Sequence, residues 1–198
     1  MSLIRFFDFL FSLVGIILLS PLFIIISILI KLDSKGGVLY KQMRVGKSNK
    51  DFKLFKFRTM ETNSDKKGLL TVGGKDVRVT RIGFLLRKFK MDELPQLFNV
   101  LFGDMSLVGP RPEVRKYVDL YTPNQMIILN VLPGITDLAS ITYRNENDLL
   151  AAAENPEQFY ISEVMPAKIN LNLKFIENRN IKQYFLIIIK TIFISLKG

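Results

Sequence analysis

Two adjacent carboxylates, Asp92 and Glu93, are the residues of this sequence best placed to do chemistry. Side-by-side carboxylates repel and are costly to desolvate together, so a fold that holds them usually supplies a metal ion, a shared proton or a cationic partner. Cations flank them on both sides, with Arg87, Lys88 and Lys90 upstream and Arg111 downstream. Arg111 stands between Pro110 and Pro112, which fix φ and restrict the residue before each, so its guanidinium is presented from a stiff, extended backbone. An arginine on such a mount suits a phosphate or pyrophosphate. Each motif alone has a plainer reading: acidic residues favour the positive end of a helix dipole, and Pro-Arg-Pro makes a turn. Together they are far more specific than either is alone.

The 198 residues suit one domain with a core of its own, and no repeat or linker argues for two. Histidine and cysteine are both absent, which excludes Cys/His zinc sites, Ser-His-Asp triads and thiol nucleophiles. Chemistry is left to carboxylates, Lys, Tyr, Ser and Thr. The lack of cysteine fits a reducing compartment without demanding one. A formal charge of +10 implies an anionic partner, and nucleic acid, an anionic lipid surface and a nucleotide sugar all qualify.

The elements that must position these groups begin with residues 9–30, almost wholly apolar between Arg5 and Asp8 on one side and Lys31 and Asp33 on the other. About twenty such residues are enough for a helix to cross a bilayer. The run is too long for a secretory signal and has no small-residue cleavage site. Ser20-Pro21 interrupts it midway. A kinked helix still spans, whereas one broken sharply there enters and leaves by the same face, keeping Arg5 and the cluster Lys31, Lys35, Lys41, Arg44 and Lys47 at headgroup level. Composition leaves both open.

Residues 38–44 and 52–58 read as two short strands around Gly46-Lys47-Ser48-Asn49. The second ends in Lys56-Phe57-Arg58, an interleaving of cation and aromatic that occurs in RNA modules, but no full module signature is present; the plainer reading is a solvated strand edge. Residues 61–76 read as a polar surface loop, and its Gly73-Gly74-Lys75-Asp76 lacks the spacing of a P-loop. Over 76–88, Arg78, Arg81 and Arg87 alternate at helical spacing with Ile82, Leu85 and Leu86, predicting one basic and one inward face. A short amphipathic segment at 94–101 carries Gln96 and Asn99, helices are expected at 113–119 and 124–131, and Pro156 and Pro166 each open another. The tail, 181–197, gathers Lys182, Gln183, Lys190 and Lys197 within an arc of about 100°, with apolar residues around the rest. It is either a core helix or, as so broad an apolar face favours, an interfacial one lying on the membrane.

Asp92-Glu93-Leu94-Pro95-Gln96, the run from Asn99 through Gly103-Asp104-Met105-Ser106 to Gly109-Pro110-Arg111-Pro112, and Pro133-Gly134-Ile135-Thr136 closely resemble the bacterial sugar transferases, small monotopic phosphoglycosyltransferases that load a sugar phosphate onto polyprenyl phosphate. The likeness extends over essentially the whole chain. It implies an α/β, mainly helical fold in a single domain, residues 1–198. Within it are a re-entrant membrane helix at 3–32, a small β element and interfacial amphipathic helices, with the catalytic part on the cytoplasmic face of the bacterial inner membrane. It implies transfer of a sugar 1-phosphate from a UDP-sugar to undecaprenyl phosphate with release of UMP, in a glycan assembly pathway. Asp92 would be the nucleophile that forms an aspartyl phosphosugar, Glu93 a ligand of Mg²⁺, and Lys56, Arg87 and Arg111 the phosphate and nucleotide contacts. Membrane lipids, and not nucleic acid, are the other expected partners; self-association stays open.

The sequence departs from the family pattern at Lys90-Met91, which adds a positive charge beside Asp92, and at 137–140 and 143–146, which bears on which sugar is accepted. Two other classes compete. A membrane-anchored nucleotide-sugar pyrophosphatase would explain the acids and Arg111 but not two lipid-facing segments, and a non-catalytic polyanion-binding membrane protein would explain the charge but not Asp92-Glu93.

Overall fold

The structure, a computed structural model, describes residues 2–62 and 76–196. The loop expected over 61–76, with its Gly73-Gly74-Lys75 motif, falls mostly outside those residues, as does Lys197.

The apolar run forms one helix, α1 (Leu3–Asp33), that continues through Pro21. Proline removes the N–H that would have bonded the Ile17 carbonyl, and the Ser20 hydroxyl donates to that carbonyl instead, at 2.8 Å. Ser12 and Ser27 likewise return their hydroxyls to the helix's own Phe9 and Phe23 carbonyls, so the serine hydroxyls of α1 are satisfied within it.

Both ends of α1 are tied to the same body. Near its start, the Arg5 guanidinium donates to the carbonyls of Val100 (2.6 Å) and Leu101 (3.1 Å) in the last turn of α3 (Gln96–Phe102), where a cation meets the negative end of the dipole. At its end, Asp33 accepts from the Ile82 amide (3.0 Å) in the first turn of α2 (Arg81–Lys88). Arg58 in turn donates to the carbonyls of Ser34 and Lys35 just past the helix. Asp8, buried in the helix interior at 1% exposure, accepts from the Ser106 hydroxyl, the Leu107 amide and the Tyr184 hydroxyl.

Strands β1 (Leu39–Val45) and β2 (Asp51–Phe57) form an antiparallel hairpin in which Tyr40 faces Lys56. Asn99 of α3, fully buried, closes the hairpin's second edge: its side-chain oxygen accepts from the Phe55 amide and its nitrogen donates to the Lys53 carbonyl. A second, parallel pair, β3 (Ser106–Val108) with β4 (Gly134–Thr136), joins the two glycine-proline motifs. Three residues a side are too few to show a strand period in sequence. Backbone meets backbone there. A Cβ on Gly134 would lie 2.1 Å from the Gly109 nitrogen, so only glycine fits.

The remaining helices are α4 (Arg115–Val118), α5 (Leu138–Thr142), α6 (Glu146–Ala151), α7 (Pro156–Phe159), α8 (Met165–Glu177) and α9 (Ile181–Leu196), with a 3₁₀ turn at Gln125–Asn130 in place of the helix expected at 124–131. A π turn at Tyr160–Val164 carries α7 into α8, so Pro156 and Pro166 share one continuous helical stretch rather than opening two. The largest core cluster lies in this half, around Tyr117, Leu150, Tyr160 and Ile169.

Large apolar side chains stay exposed on three helices: Leu18 and Leu32 on α1, Phe84 on α2 with Phe89 just past its end, and Ile192 and Phe193 on α9. Leu85 corrects the sequence reading of α2: it is exposed, while Leu86, one residue on and about 100° around the helix, is buried against Ile26, Ile30 and Phe57. The tail helix has a core face, with Tyr184 and Ile187 buried, and an exposed apolar face that includes Leu186 and Ile189.

Candidate active site

Lys90 turns the chain out of α2 in the left-handed region (φ 53°), and the 3₁₀ turn Met91–Glu93 follows, so Arg87 and the two carboxylates share one corner. Glu93 accepts from Lys56 Nζ at 3.1 Å and from both terminal nitrogens of Arg111, one at 3.2 Å. This is a forked, bidentate pair with a second cation on one of the same oxygens. Burial by itself would raise the Glu93 carboxyl; Arg111 and Lys56 overcome it and hold the group well below the usual carboxylate range. The Glu93 charge pushes Arg111 up, and burial lowers Lys56 despite its pairing.

Asp92 is in the opposite state. Among the described residues no group donates a hydrogen bond to it, and burial, with Glu93 adding to it, raises its carboxyl above the ordinary value against the pull of Lys56, Arg87 and Arg111. Two neighbouring carboxylates are thus driven apart: one is saturated by cations, and the other is left unbonded among charges that attract an anion. Arg87 is fixed through its Nε to the Thr59 hydroxyl at 2.9 Å. All five residues singled out in the sequence, Lys56, Arg87, Asp92, Glu93 and Arg111, line one cavity of about 720 Å³, within the range of small-molecule sites. Lys56 is mostly buried (17% exposed), which sets aside the solvated-edge reading of its strand. Lys90 lines the same cavity, and Met91 packs into the core beside Leu86.

The mount of Arg111 is more elaborate than two prolines. Its backbone N–H donates to Asp137 Oδ2 at 3.0 Å. On its other side the Val45 amide donates to the Glu113 carbonyl (2.9 Å), and Arg44 donates to the Pro112 carbonyl (3.1 Å) and to Glu113 Oε1 (3.2 Å). The Tyr160 hydroxyl donates to the second Glu113 oxygen. Sequence reasoning passed over Arg44, Glu113, Asp137 and Tyr160 as site-forming residues. Glu113 adjoins its motif and was within reach of it; Arg44, Asp137 and Tyr160 are brought in only by tertiary packing.

A Mg²⁺ ion finds limited support from the protein alone, since the described residues hold no cluster of three or more His, Cys, Asp or Glu side chains. Two carboxylates do suit this ion when substrate phosphates and water complete its shell.

The family model described as "Bacterial sugar transferase" matches residues 1–198. The chain belongs to that family. Among relatives of this bacterial sugar transferase is the UDP-N-acetylgalactosamine-undecaprenyl-phosphate N-acetylgalactosaminephosphotransferase of Aeromonas hydrophila, 40% identical over 96% of this chain and 43% of its own length. The UDP-glucose:undecaprenyl-phosphate glucose-1-phosphate transferase of Klebsiella pneumoniae is 38% identical over 85% of this chain and 37% of its own. A putative undecaprenyl-phosphate N-acetylgalactosaminyl 1-phosphate transferase of Bacillus subtilis is 44% identical over 67% of this chain and 70% of its own. The chain thus spans about two fifths of the length of the first two relatives.

Proposed function

We propose that this chain transfers a sugar 1-phosphate from a UDP-sugar to undecaprenyl phosphate by way of an aspartyl phosphosugar, as a membrane step of glycan assembly. The observation that carries this reading is the divided carboxylate pair: Glu93 neutralised by Lys56 and Arg111, Asp92 unbonded beside it in the same cavity. An Asp92 oxygen attacks the sugar-linked phosphorus, the bond from that phosphorus to the bridging oxygen breaks, and UMP leaves with the electron pair. An oxygen of the lipid phosphate then attacks the same phosphorus, the bond to Asp92 breaks, and the carboxylate is restored. Lys56, Arg87 and Arg111 hold and neutralise the diphosphate, so that one anion approaches another at tolerable cost. Mg²⁺ held by Glu93 with the phosphate oxygens would supply further charge neutralisation there, with Lys56 or Arg111 giving up a contact to Glu93 for the phosphate.

The anchor is read as re-entrant, with the catalytic part on the cytoplasmic face of the bacterial inner membrane. What supports this is that Arg5 and Asp8 at one end of α1 and Asp33 at the other are bonded to the same domain, so a straight crossing would tear one end from its partners. The names of the relatives, all acting on undecaprenyl phosphate, favour the lipid acceptor and divide between N-acetylgalactosamine and glucose as the sugar.

The test incubates membranes carrying the protein with labelled UDP-sugars and polyprenyl phosphate, with and without Mg²⁺. A transferase gives organic-extractable sugar and UMP. A pyrophosphatase gives UMP and a water-soluble sugar phosphate, and a polyanion binder gives neither; either result overturns the reading.

A further inference from the structure

Beyond Arg111 the cavity continues to Ser140 at the end of the first turn of α5 and to Asn172 in the middle of α8. Both carry a buried polar atom with no hydrogen-bond partner among the described residues, Ser140 Oγ and Asn172 Oδ1. An orphaned buried polar atom is destabilising, so two in one place call for a reason. The orientation of Asn172 is fixed by chemistry: its nitrogen donates to the Asp137 carboxylate at 2.9 Å, and a carboxylate can only accept, so the free atom is an acceptor. Ser140 has a hydroxyl that both donates and accepts.

Asp137 is the hub. Fully buried, it accepts through one oxygen from the Arg111 amide and Asn172, and through the other from the Ser140 amide. The two orphaned groups are therefore locked in register with the arginine that pairs Glu93. Lys168 and Glu146, joined at 2.6 Å, also line this part of the cavity.

We infer that Ser140 and Asn172 form a subsite that reads hydroxyl or amide N–H groups on the sugar of the donor, with Asp137 as the positioning residue that sets its distance from the phosphate-binding arginine. The inference rests on the transferase reading. A ligand hydroxyl or acetamido N–H donates to Asn172 Oδ1, and a ligand oxygen accepts from, or donates to, the Ser140 hydroxyl. The ribose of the nucleotide offers the same chemistry, and the experiment separates the two.

Full-length protein in nanodiscs is assayed with UDP-glucose, UDP-galactose and their N-acetyl counterparts, measuring kcat/KM for each, the inhibition constant of UMP, and the melting temperature. Ser140→Ala should cut kcat/KM for the preferred sugar roughly tenfold, flatten the ranking of the four donors and leave UMP inhibition and melting unharmed. Asn172→Ala should flatten the same ranking. An unchanged ranking in Ser140→Ala, beside an active parent enzyme, overturns the subsite. A weakening of UMP inhibition equal to the loss in kcat/KM assigns these groups to the nucleotide and overturns the sugar assignment. Should the parent protein transfer none of the four while hydrolysing them, the transferase reading fails first and takes the subsite with it.

Discussion

Replacing Asp8 with leucine tests how the anchor is joined to the catalytic part. The carboxylate is 1% exposed and its Oδ1 accepts from Ser106 Oγ at 3.0 Å, the Leu107 amide at 2.9 Å and Tyr184 Oη at 2.9 Å. Leucine is close in volume and suits an apolar helix, so packing suffers little; the loss is three donors left without an acceptor. At about 1 kcal/mol for each, the low end for a buried orphan, the cost is about 3 kcal/mol. For a chain of this size each kcal/mol moves Tm by about 2–4 °C, giving a fall of about 6–12 °C. Asp8→Asn keeps the accepting oxygen and should lose only a small part of this. The assay is thermal unfolding of both variants in the same detergent, followed by intrinsic tyrosine fluorescence, with UDP-sugar turnover measured alongside. Leu107 lies in the strand that leads into Gly109-Pro110-Arg111, so turnover in Asp8→Leu should fall even below its melting temperature. A leucine variant that melts and turns over like the parent would refute the idea that this carboxylate joins α1 to the site.

Opposite signs are expected for Asp92 and Glu93. Asp92 has a raised folded-state pKa, so its ionisation costs stability as pH climbs through the interval above the ordinary value of 3.8, and Asp92→Asn should melt higher than the parent at neutral pH while transferring nothing. Glu93 has a depressed one, so it contributes stability above the ordinary carboxylate range that is lost on acidification, and Glu93→Gln should melt lower at neutral pH; the same direction of shift in both variants would sink the divided-pair account. The acid limb of kcat/KM should lie above pH 3.8, because protonated Asp92 is no nucleophile, and a limb at or below it would contradict the burial of that group. Arg111→Lys keeps the charge but loses the fork on Glu93, so kcat/KM for UDP-sugar should drop at least tenfold, and unchanged kinetics would make Arg111 structural. A cysteine at Ser2 should resist an impermeant thiol reagent in intact cells and react after lysis, whereas labelling from outside would show α1 to span.

Legibility in the sequence followed the range of the interactions. The hairpin, α2 and the short helix carrying Asn99 were visible because period and turn chemistry act within a few residues. Lys56, Arg87, Asp92, Glu93 and Arg111 were named before the fold because four lie in one stretch and the fifth falls where the family resemblance places a cation. The pair β3 and β4 was invisible: what makes it a sheet is the close passage of Gly109 and Gly134, residues far apart in the chain. Asp137 was read as a substitution bearing on sugar choice, and its burial beneath the Arg111 amide could not have been seen without β4 to bring it there.

The wiring of α1 gives these pieces a common logic. A lone apolar helix has no reason to seat a domain at a fixed depth; it becomes a ruler only if its polar residues are bonded into the domain at defined places. Arg5 caps the helix that carries Asn99, and Asn99 closes the edge of the strand that bears Lys56. Asp8 holds the strand that leads to Arg111, and Asp33 caps α2, at whose far end Arg87 and the carboxylates sit. The elements that carry Lys56, Arg87, Asp92, Glu93 and Arg111 are thus each one or two bonded contacts from α1. On the proposed reading, in which the second substrate carries its phosphate at the bilayer surface, that arrangement would fix Asp92 relative to the lipid headgroup by the same bonds that hold the fold together.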